Sequence, residues 1–325
     1  MANRVPTYGI VGYGVQGKRR DNILKDLGLE RVFIKDYISN LNEGELKEVD
    51  YLIIATPTDV HIKSVIDYSH LSENIFLEKP IGTNLPETRD IMRMLQGTGH
   101  TVYVGSNFLH IPPIAKTINL AQSRAMNPLR ISIDIGIDWR DFPAWRSKGR
   151  GCILDIFPHV FLFLWEIGLT DLSVVSSYYV KHQSLGDLEG ETFASSLMLN
   201  DKVTPVRTDI SWENNDPYVR IDLSYPDENI ICSMKKSSDG LTVISRDNGL
   251  INIESETTDS LRIGRTYSYY MDMQNMMDDM ANPLKTQQNI DKYMSMAEII
   301  DSMYGGSDIA KERQVLVVPY HRRVI

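Results

Sequence analysis

The architecture of the first part of the chain follows from a short run near its start. Tyr8-Gly9-Ile10-Val11 reads as an apolar strand, Gly12-Tyr13-Gly14-Val15-Gln16-Gly17 follows at once as G-x-G-x-x-G, and a helical pattern through Ile23, Leu24 and Leu27 comes next, with Gly28 placed to end it. Strand, glycines and helix in this order are what a dinucleotide-binding βαβ unit requires. Gly12 is expected to make the tight turn, Gly14 to let the backbone approach a pyrophosphate, and Gly17 to let the helix pack closely on the strand. The helix start, with Val15 and Gln16, offers free N–H groups and a partial positive charge to the phosphates.

The pattern then repeats. A second strand, Arg31-Val32-Phe33-Ile34, ends at Lys35-Asp36, and Asp36 lies 19 residues after Gly17. That is the expected place for a carboxylate that bonds the adenosine ribose hydroxyls. Its charge disfavours a 2′-phosphate, so NAD is the expected cofactor, with Lys35, Arg19 and Arg20 keeping NADP open. A third strand, Asp50–Ala55, runs into Thr56-Pro57-Thr58-Asp59-Val60-His61. Thr56 and Pro57 are expected over the nicotinamide half of the cofactor. Asp59 is placed to cap the next helix, and His61 is either part of the cofactor turn or a surface helix residue. The fourth strand, Asn74-Ile75-Phe76-Leu77, leads into Glu78-Lys79-Pro80. Charges at the end of a buried strand are costly unless paired or used, and the carboxyl ends of such strands are where ligands bind. Pro80 restricts Lys79, so Lys79 is expected at the mouth of the sheet in a set direction. Asn84, Pro86 and Glu87 mark a helix start ahead of Ile91, Met92 and Leu95, and Thr101–Gly105 is a fifth strand. Strands alternating with helices predict a doubly wound parallel sheet, a Rossmann domain over residues 1–120.

From about residue 121 the period changes. Leu129, Ile131, Ile133, Ile135 and Ile137 alternate with Arg130, Ser132, Asp134 and Gly136, the pattern of a half-buried strand. Further strands are expected at Leu172–Tyr179, Thr192–Leu199, Val203–Trp212, Tyr218–Tyr225, Asn229–Met234, Leu241–Ser245 and Leu250–Ile253, with turns at Ser238-Asp239-Gly240 and Asp247-Asn248-Gly249. Residues 121–325 therefore read as an α+β domain with a large, mostly antiparallel open sheet. Helices are predicted at Tyr269–Met280 and Gln288–Met303, broken at Asn282-Pro283 and placed to pack back on the first domain. Their methionines read as core filler, and Val315–Val318 reads as a last strand. Ile153 to Ile167 reads as a helix in which Asp155 and His159, four apart, share a face. The pair suits a substrate clamp and proton transfer, and equally a capping Asp with a packed His. Pro158 points to a bend or a later helix start.

The chain has 325 residues, 42% hydrophobic and 24% charged, enough for a large core or two domains. With net charge −9 and no basic run longer than Lys18-Arg19-Arg20, a nucleic-acid partner is not indicated. Two cysteines, Cys152 and Cys232, make neither a disulfide framework nor a metal spacing, so no metal is expected. The first residues do not read as a signal-peptide core. The longest apolar stretch, Val160 to Ile167, contains Glu166 and is far too short to span a bilayer. No membrane partner and a cytoplasmic location are expected.

Together these residues resemble the Gfo/Idh/MocA oxidoreductase family. The resemblance rests on the glycine fingerprint, the A-T-P-x-x-x-H turn at Ala55–His61, Glu78-Lys79-Pro80, Trp145-Arg146, and the D-x-x-x-H of Asp155 and His159. It implies NAD(P)-dependent hydride transfer at a carbinol carbon of a sugar, sugar nucleotide or cyclitol. It also implies Lys79 and His159 as the catalytic polar groups with Asp155 beside them, and a homodimer or homotetramer formed through the second sheet. The cofactor set implied is Gly12, Gly14, Val15, Gln16, Gly17, Asp36, Thr56, Pro57, His61, Glu78 and Lys79. The substrate set is Lys79, Asn107, Trp145, Arg146, Asp155 and His159. This chain departs from the family at Phe157-Pro158, where a Gly is usual after the Asp, at Leu162 in place of a further carboxylate, and at the largely apolar Asn107–Pro112. A less charged pocket is expected, with Arg140, Arg146 or Lys148 to hold any anionic group. Two other readings follow from these departures. One is a dinucleotide-binding sensor without turnover. The other is a reductase of an imine, dihydrodiol or tetrapyrrole, with Phe108, Leu109 and Phe157 against a flatter ligand.

Overall fold

A computed structural model describes residues 4–138, 151–180, 191–235, 241–246, 249–254 and 257–305. The chain divides into two compact units, one of Met1–His110 with Thr266–Ala297, the other of Ile111–Arg265 with Glu298–Ile325.

The first unit is built on a six-stranded sheet of β1 (Thr7–Val11), β2 (Glu30–Lys35), β3 (Asn42–Glu43), β4 (Tyr51–Ile54), β5 (Asn74–Leu77) and β6 (Thr101–Val104), in the order β3-β2-β1-β4-β5-β6. All pairings are parallel except that of the two-residue β3 on β2. Strands covered on both faces need near-continuous apolar runs, and Leu52-Ile53-Ile54, Ile75-Phe76-Leu77 and Val102-Tyr103-Val104 are all buried. The strand order reverses at β1, so the crevice beyond the carboxyl ends of β1 and β4 is the ligand position of a doubly wound sheet.

Three helices follow the strands: α1 (Val15–Asp26), α2 (His61–Tyr68) and α3 (Leu85–Gly97). The Asn84 side chain caps α3, accepting from the Glu87 N–H at 2.9 Å. Asp59 does not cap α2. It lies exposed inside a 3-10 turn, Thr58–Val60, and Val60 stands at the cap position without a side-chain bond. Near the end of the chain come α6 (Thr257–Met280) and α7 (Pro283–Tyr304). Met273, Met276 and Met280 pack with Tyr8, Ile10, Ile23, Leu24, Phe76 and Tyr103 in one apolar cluster, so these methionines are core filler. The Tyr293 hydroxyl donates to the Val104 carbonyl at 2.9 Å.

The middle of α1 is tied to β1 and β2 by Asp21, whose side chain is fully buried. The hydroxyls of Tyr8 and Tyr13 each donate to it at 2.6 Å, Arg31 pairs with it at 2.7 Å and Lys25 at 2.9 Å. Burial alone raises the pKa of this carboxyl. The tyrosine hydroxyls, with Lys25 and Arg31, more than reverse that and hold it below the usual range.

The second unit carries an eight-stranded sheet of β7 (Arg130–Asp138), β8 (Leu172–Val180), β9 (Phe193–Asn200), β10 (Thr204–Ser211), β11 (Glu213–Ser224), β12 (Asn229–Lys235), β13 (Leu241–Arg246) and β14 (Gly249–Glu254), in the order β14-β13-β12-β11-β7-β10-β9-β8. Only β7 and β10 pair in parallel. Ile131, Ile133, Ile135, Val206, Ile210, Ile221 and Leu223 bury one face. Arg130, Ser132, Asp134, Arg207, Asp209, Arg220 and Asp222 carry the other, which is at least partly exposed. Leu129, expected on the buried face, precedes the strand and is 54% exposed. The unit also contains α4 (Pro112–Gln122) and α5 (Cys152–Glu166). α5 neither starts late nor stops at Pro158, which sits buried inside it. Trp145 and Arg146, with Arg140 and Lys148, lie outside the described residues, as do Ser238–Gly240, Asp247-Asn248 and Val315–Val318. Among the described residues no helix is long and apolar enough to cross a membrane.

The Asp21 network predicts a pH signature. A depressed folded-state pKa gives stability that is present above the unfolded value and lost as pH falls through the folded one. Asp21→Asn is expected to lose about 3 kcal/mol near neutral pH. In urea titrations that deficit should shrink progressively below about pH 4.

Candidate functional site

Gly12 has φ +92°, and a Cβ there would lie 2.5 Å from the Thr56 nitrogen; a Cβ on Gly17 would lie 2.0 Å from the Gly12 carbonyl oxygen. These two glycines let β1, α1 and the β4 turn close on one another. A Cβ on Gly14 would meet nothing within 4 Å, so the space above it is open to a ligand. Gly14 is also the N-cap of α1, no side chain caps the helix, and its first turn holds no acid. The N–H groups there are left to an anion. Val15, 65% exposed, stands at this start. Gln16 is turned to α6, its amide donating to the Tyr269 hydroxyl at 3.3 Å.

Asp36 follows β2 directly. Its Oδ1 accepts from the Tyr13 N–H at 3.0 Å, and its Oδ2 accepts from the Ser39 N–H at 2.8 Å and from the Ser39 hydroxyl. Burial raises its pKa. The Ser39 and Tyr13 bonds, with Lys18 nearby, outweigh that and keep the group ionised. A carboxylate oxygen accepts more than one bond, so a ribose diol fits this group. Of the cations expected to receive a 2′-phosphate, Arg20 is excluded: it is fully buried, 2.8 Å from Glu78 and 2.7 Å from Asp272. Arg19 is stacked 4.3 Å above the Tyr269 ring and donates to Gln16. Lys18, exposed and electrostatically coupled to Asp36, is better placed.

Thr56 is buried, its hydroxyl 3.1 Å from that of Ser64, and Pro57 is half-buried beside it. His61 is not a surface residue, and it keeps no surface for a cofactor. It is fully buried, with Nδ1 3.0 Å from the Ile81 carbonyl oxygen and Nε2 2.9 Å from that of Thr56. Burial lowers its pKa against the pull of these carbonyls, and a neutral ring donates to one of them at a time. His61 thus staples the turn after β4 to the segment after β5. In that segment Glu78 is buried against Arg20 instead of facing a cofactor. Lys79 is half-buried, and the Lys79–Pro80 peptide is cis. Asn107 opens a 3-10 turn, Asn107–His110, half-buried itself, while Phe108 and Leu109 are in the core.

In the second unit, Asp155 and His159 are the residues between Cys152 and Leu164 that are not buried, and they lie one turn apart on the same side of α5. Phe157 and Pro158 are buried, so neither they nor Phe108 and Leu109 offer a flat apolar wall. The start of α5 is met by Glu191 rather than by Asp155. The Glu191 backbone oxygen accepts from the Cys152 N–H at 2.9 Å, and its carboxylate accepts from the Ile153 N–H at 3.0 Å. The carboxylate also accepts from the Tyr304 hydroxyl at 2.6 Å. Among the described residues no cluster of His, Cys, Asp and Glu is arranged to hold a metal ion. Asp272, Tyr269 and Glu191 carried no local signal in the sequence. Each acts on an element far away along the chain.

A glycine cradle at the switch point of a parallel sheet, with an acid at the end of the second strand, defines a dinucleotide-binding domain of the Rossmann type. Residues 10–106 match the model of the Gfo/Idh/MocA family, described as an oxidoreductase family with an NAD-binding Rossmann fold. No curated protein matches the chain. The fold is shared with GenD2 from gentamicin A biosynthesis in complex with NAD (15% identity, 94% of each chain, TM-score 0.74). It is shared with an oxidoreductase from Agrobacterium radiobacter in complex with NAD+, L-tartaric acid and magnesium (16% identity, 94% of this chain and 98% of that one, TM-score 0.73). It is also shared with a point mutant of KijD10, a 3-ketoreductase from Actinomadura kijaniata, in complex with TDP-benzene and NADP (13% identity, 97% of this chain and 100% of that one, TM-score 0.71).

The glycines separate binding from folding. Gly14→Ala is expected to leave the melting temperature unchanged and to weaken NADH binding about tenfold, or 1.4 kcal/mol, by fluorescence titration. Gly17→Ala is expected to lower the melting temperature by several degrees.

Proposed function

We propose that this chain is an NAD(P)-dependent oxidoreductase that moves a hydride between the cofactor and a secondary alcohol or ketone of a sugar, nucleotide sugar or cyclitol. The observation that carries the reading is the open cradle over Gly14 at the switch point, with Lys79 at the carboxyl end of the neighbouring strand β5. Support for carbonyl or carbinol chemistry comes from two of the similar folds, one described as a 3-ketoreductase in complex with TDP-benzene and one in complex with L-tartaric acid.

A nicotinamide dinucleotide bound in the cradle supplies the hydride acceptor or donor. The α1 N–H groups bind its pyrophosphate, and Asp36 accepts from the ribose hydroxyls. The Lys79 ammonium stabilises the alkoxide that develops as the carbinol hydrogen leaves. With Lys79 charged, His159 takes the hydroxyl proton; as a neutral amine Lys79 would take that proton itself instead of stabilising the alkoxide as an ammonium. Asp155 accepts from a further substrate hydroxyl, and Asn107, Trp145 and Arg146 complete the assigned substrate contacts. The open polar face of the second sheet is the surface assigned to a second copy of the chain.

Absorbance at 340 nm tests the reading, with NAD or NADP and a panel of sugars, cyclitols and nucleotide sugars. A signal that requires substrate and is lost by about a hundredfold in Lys79→Ala, with NADH binding kept, is the expected result. Tight NADH binding with no turnover across the panel would leave a dinucleotide sensor. For cofactor choice, NADH is expected to bind more tightly than NADPH, and Asp36→Ser should narrow or invert that preference by removing the charge facing a 2′-phosphate.

A further inference from the structure

Three charges, Arg20, Glu78 and Asp272, are buried together, and Glu78 is the residue before Lys79. Arg20, on the helix whose start forms the phosphate cradle, donates from Nε to Glu78 Oε1 at 2.8 Å. Its Nη1 lies 2.7 Å from Asp272 Oδ2, and neither Arg20 nor Asp272 has any exposed side-chain surface. The guanidinium sits 4.6 Å over the Phe76 ring and 4.8 Å over that of Tyr269. Asp272 is fixed in turn, because its Oδ1 accepts from the Ser106 N–H at 2.9 Å, the Tyr103 hydroxyl at 3.0 Å and the Ser106 hydroxyl at 3.2 Å. Room for the array comes from Gly105, where a Cβ would lie 3.0 Å from Arg20 Nη2 and 3.2 Å from Glu78 Oε2.

An apolar trio of similar volume packs a core as well as or better than buried charges do. Folding energy therefore gives no reason for three charges here. Direction does: the Nε–H bond fixes Glu78 in angle as well as distance, and the buried Asp272 charge, paired with Nη1, holds the guanidinium in place for it. One of those carboxylates is the covalent neighbour of Lys79.

We propose that Asp272 and Arg20 are positioning residues for Lys79. Asp272 orients Arg20, Arg20 anchors Glu78, and the backbone from which Lys79 projects is locked to the phosphate-binding helix α1. His61 holds the other side of the same segment through the Ile81 carbonyl. The inference rests on the reading of Lys79 as a reacting group, and its test does not depend on that reading alone.

The test compares Asp272→Asn, Arg20→Lys and Tyr103→Phe with the unmodified chain. Lys79 reactivity toward acetic anhydride is followed against pH by peptide mass spectrometry, with exposed Lys47 as internal control. NADH affinity is measured by fluorescence. Folded Asp272→Asn and Arg20→Lys proteins are expected to shift the Lys79 labelling rate about fivefold or more relative to Lys47. Their kcat on the substrate found by the panel should fall about ten- to a hundredfold, with KM and NADH affinity nearly unchanged. Arg20→Lys keeps the charge and loses the fork, so it should not rescue. Tyr103→Phe removes one bond to Asp272, keeps the ring, and should shift labelling the same way by less; it decides the matter if the charge variants do not fold. Unchanged Lys79 labelling in a folded variant would overturn the proposal. Normal turnover in Lys79→Ala would instead overturn the catalytic reading of Lys79, with the labelling shift still judging whether the array positions it.

Discussion

A guanidinium with no exposed surface has to be answered from within the protein, and Arg20 is answered by Glu78 and Asp272. Burial alone works against its charge, and the two carboxylates more than compensate. Breaking such an arrangement on one side strands a charge in the core, which is far more damaging than never having had it. α1, the end of β5, the end of β6 and α6 all contribute to this point, so the local geometry of each depends on the others. The cradle glycines set where a dinucleotide's phosphates fit, and the charge array ties that helix to the strand end that carries Lys79.

Much of the first unit is legible in the sequence because its signals are local. The apolar runs of β1, β4, β5 and β6, the G-x-G-x-x-G of Gly12–Gly17, the acid at Asp36 and the Asn84 cap each specify their structure within a few residues. What the sequence hides depends on partners far along the chain. Arg20 reads as one of three surface cations until Asp272, about 250 residues later, is placed beside it. His61 reads as part of the cofactor turn or as a surface helix residue until the Ile81 carbonyl is found at its ring. Asp59 has the right chemistry for a cap, yet a 3-10 turn takes up its position.

The second unit shows the same division. Alternation reveals the strands of β7 to β14 and which side of β7 is buried. It does not reveal that β10 lies beside β7 in parallel, because pairing depends on which strands meet rather than on period. On α5, the spacing of Asp155 and His159 places them on one face, as the structure has them. Pro158 points to a bend or a later helix start, yet α5 begins at Cys152 and runs through it. Phe108 and Phe157 look like pocket walls in sequence, and both are core residues.

The first unit is discontinuous in sequence, and this has a consequence for how the chain is made. A ribosome completes β1 to β6 long before it reaches Asp272, Met273, Met276 and Tyr293. Until then Arg20 and Glu78 have no third partner, and the apolar surface that the methionines cover stands open to water. The Rossmann half is thus obliged to wait for about the last fifth of the chain, with an unfinished hydrophobic face exposed during synthesis. Long-range closure of this kind slows folding and invites association between nascent chains. The segment that completes the charge array therefore also ends the period of greatest vulnerability for the newly made protein.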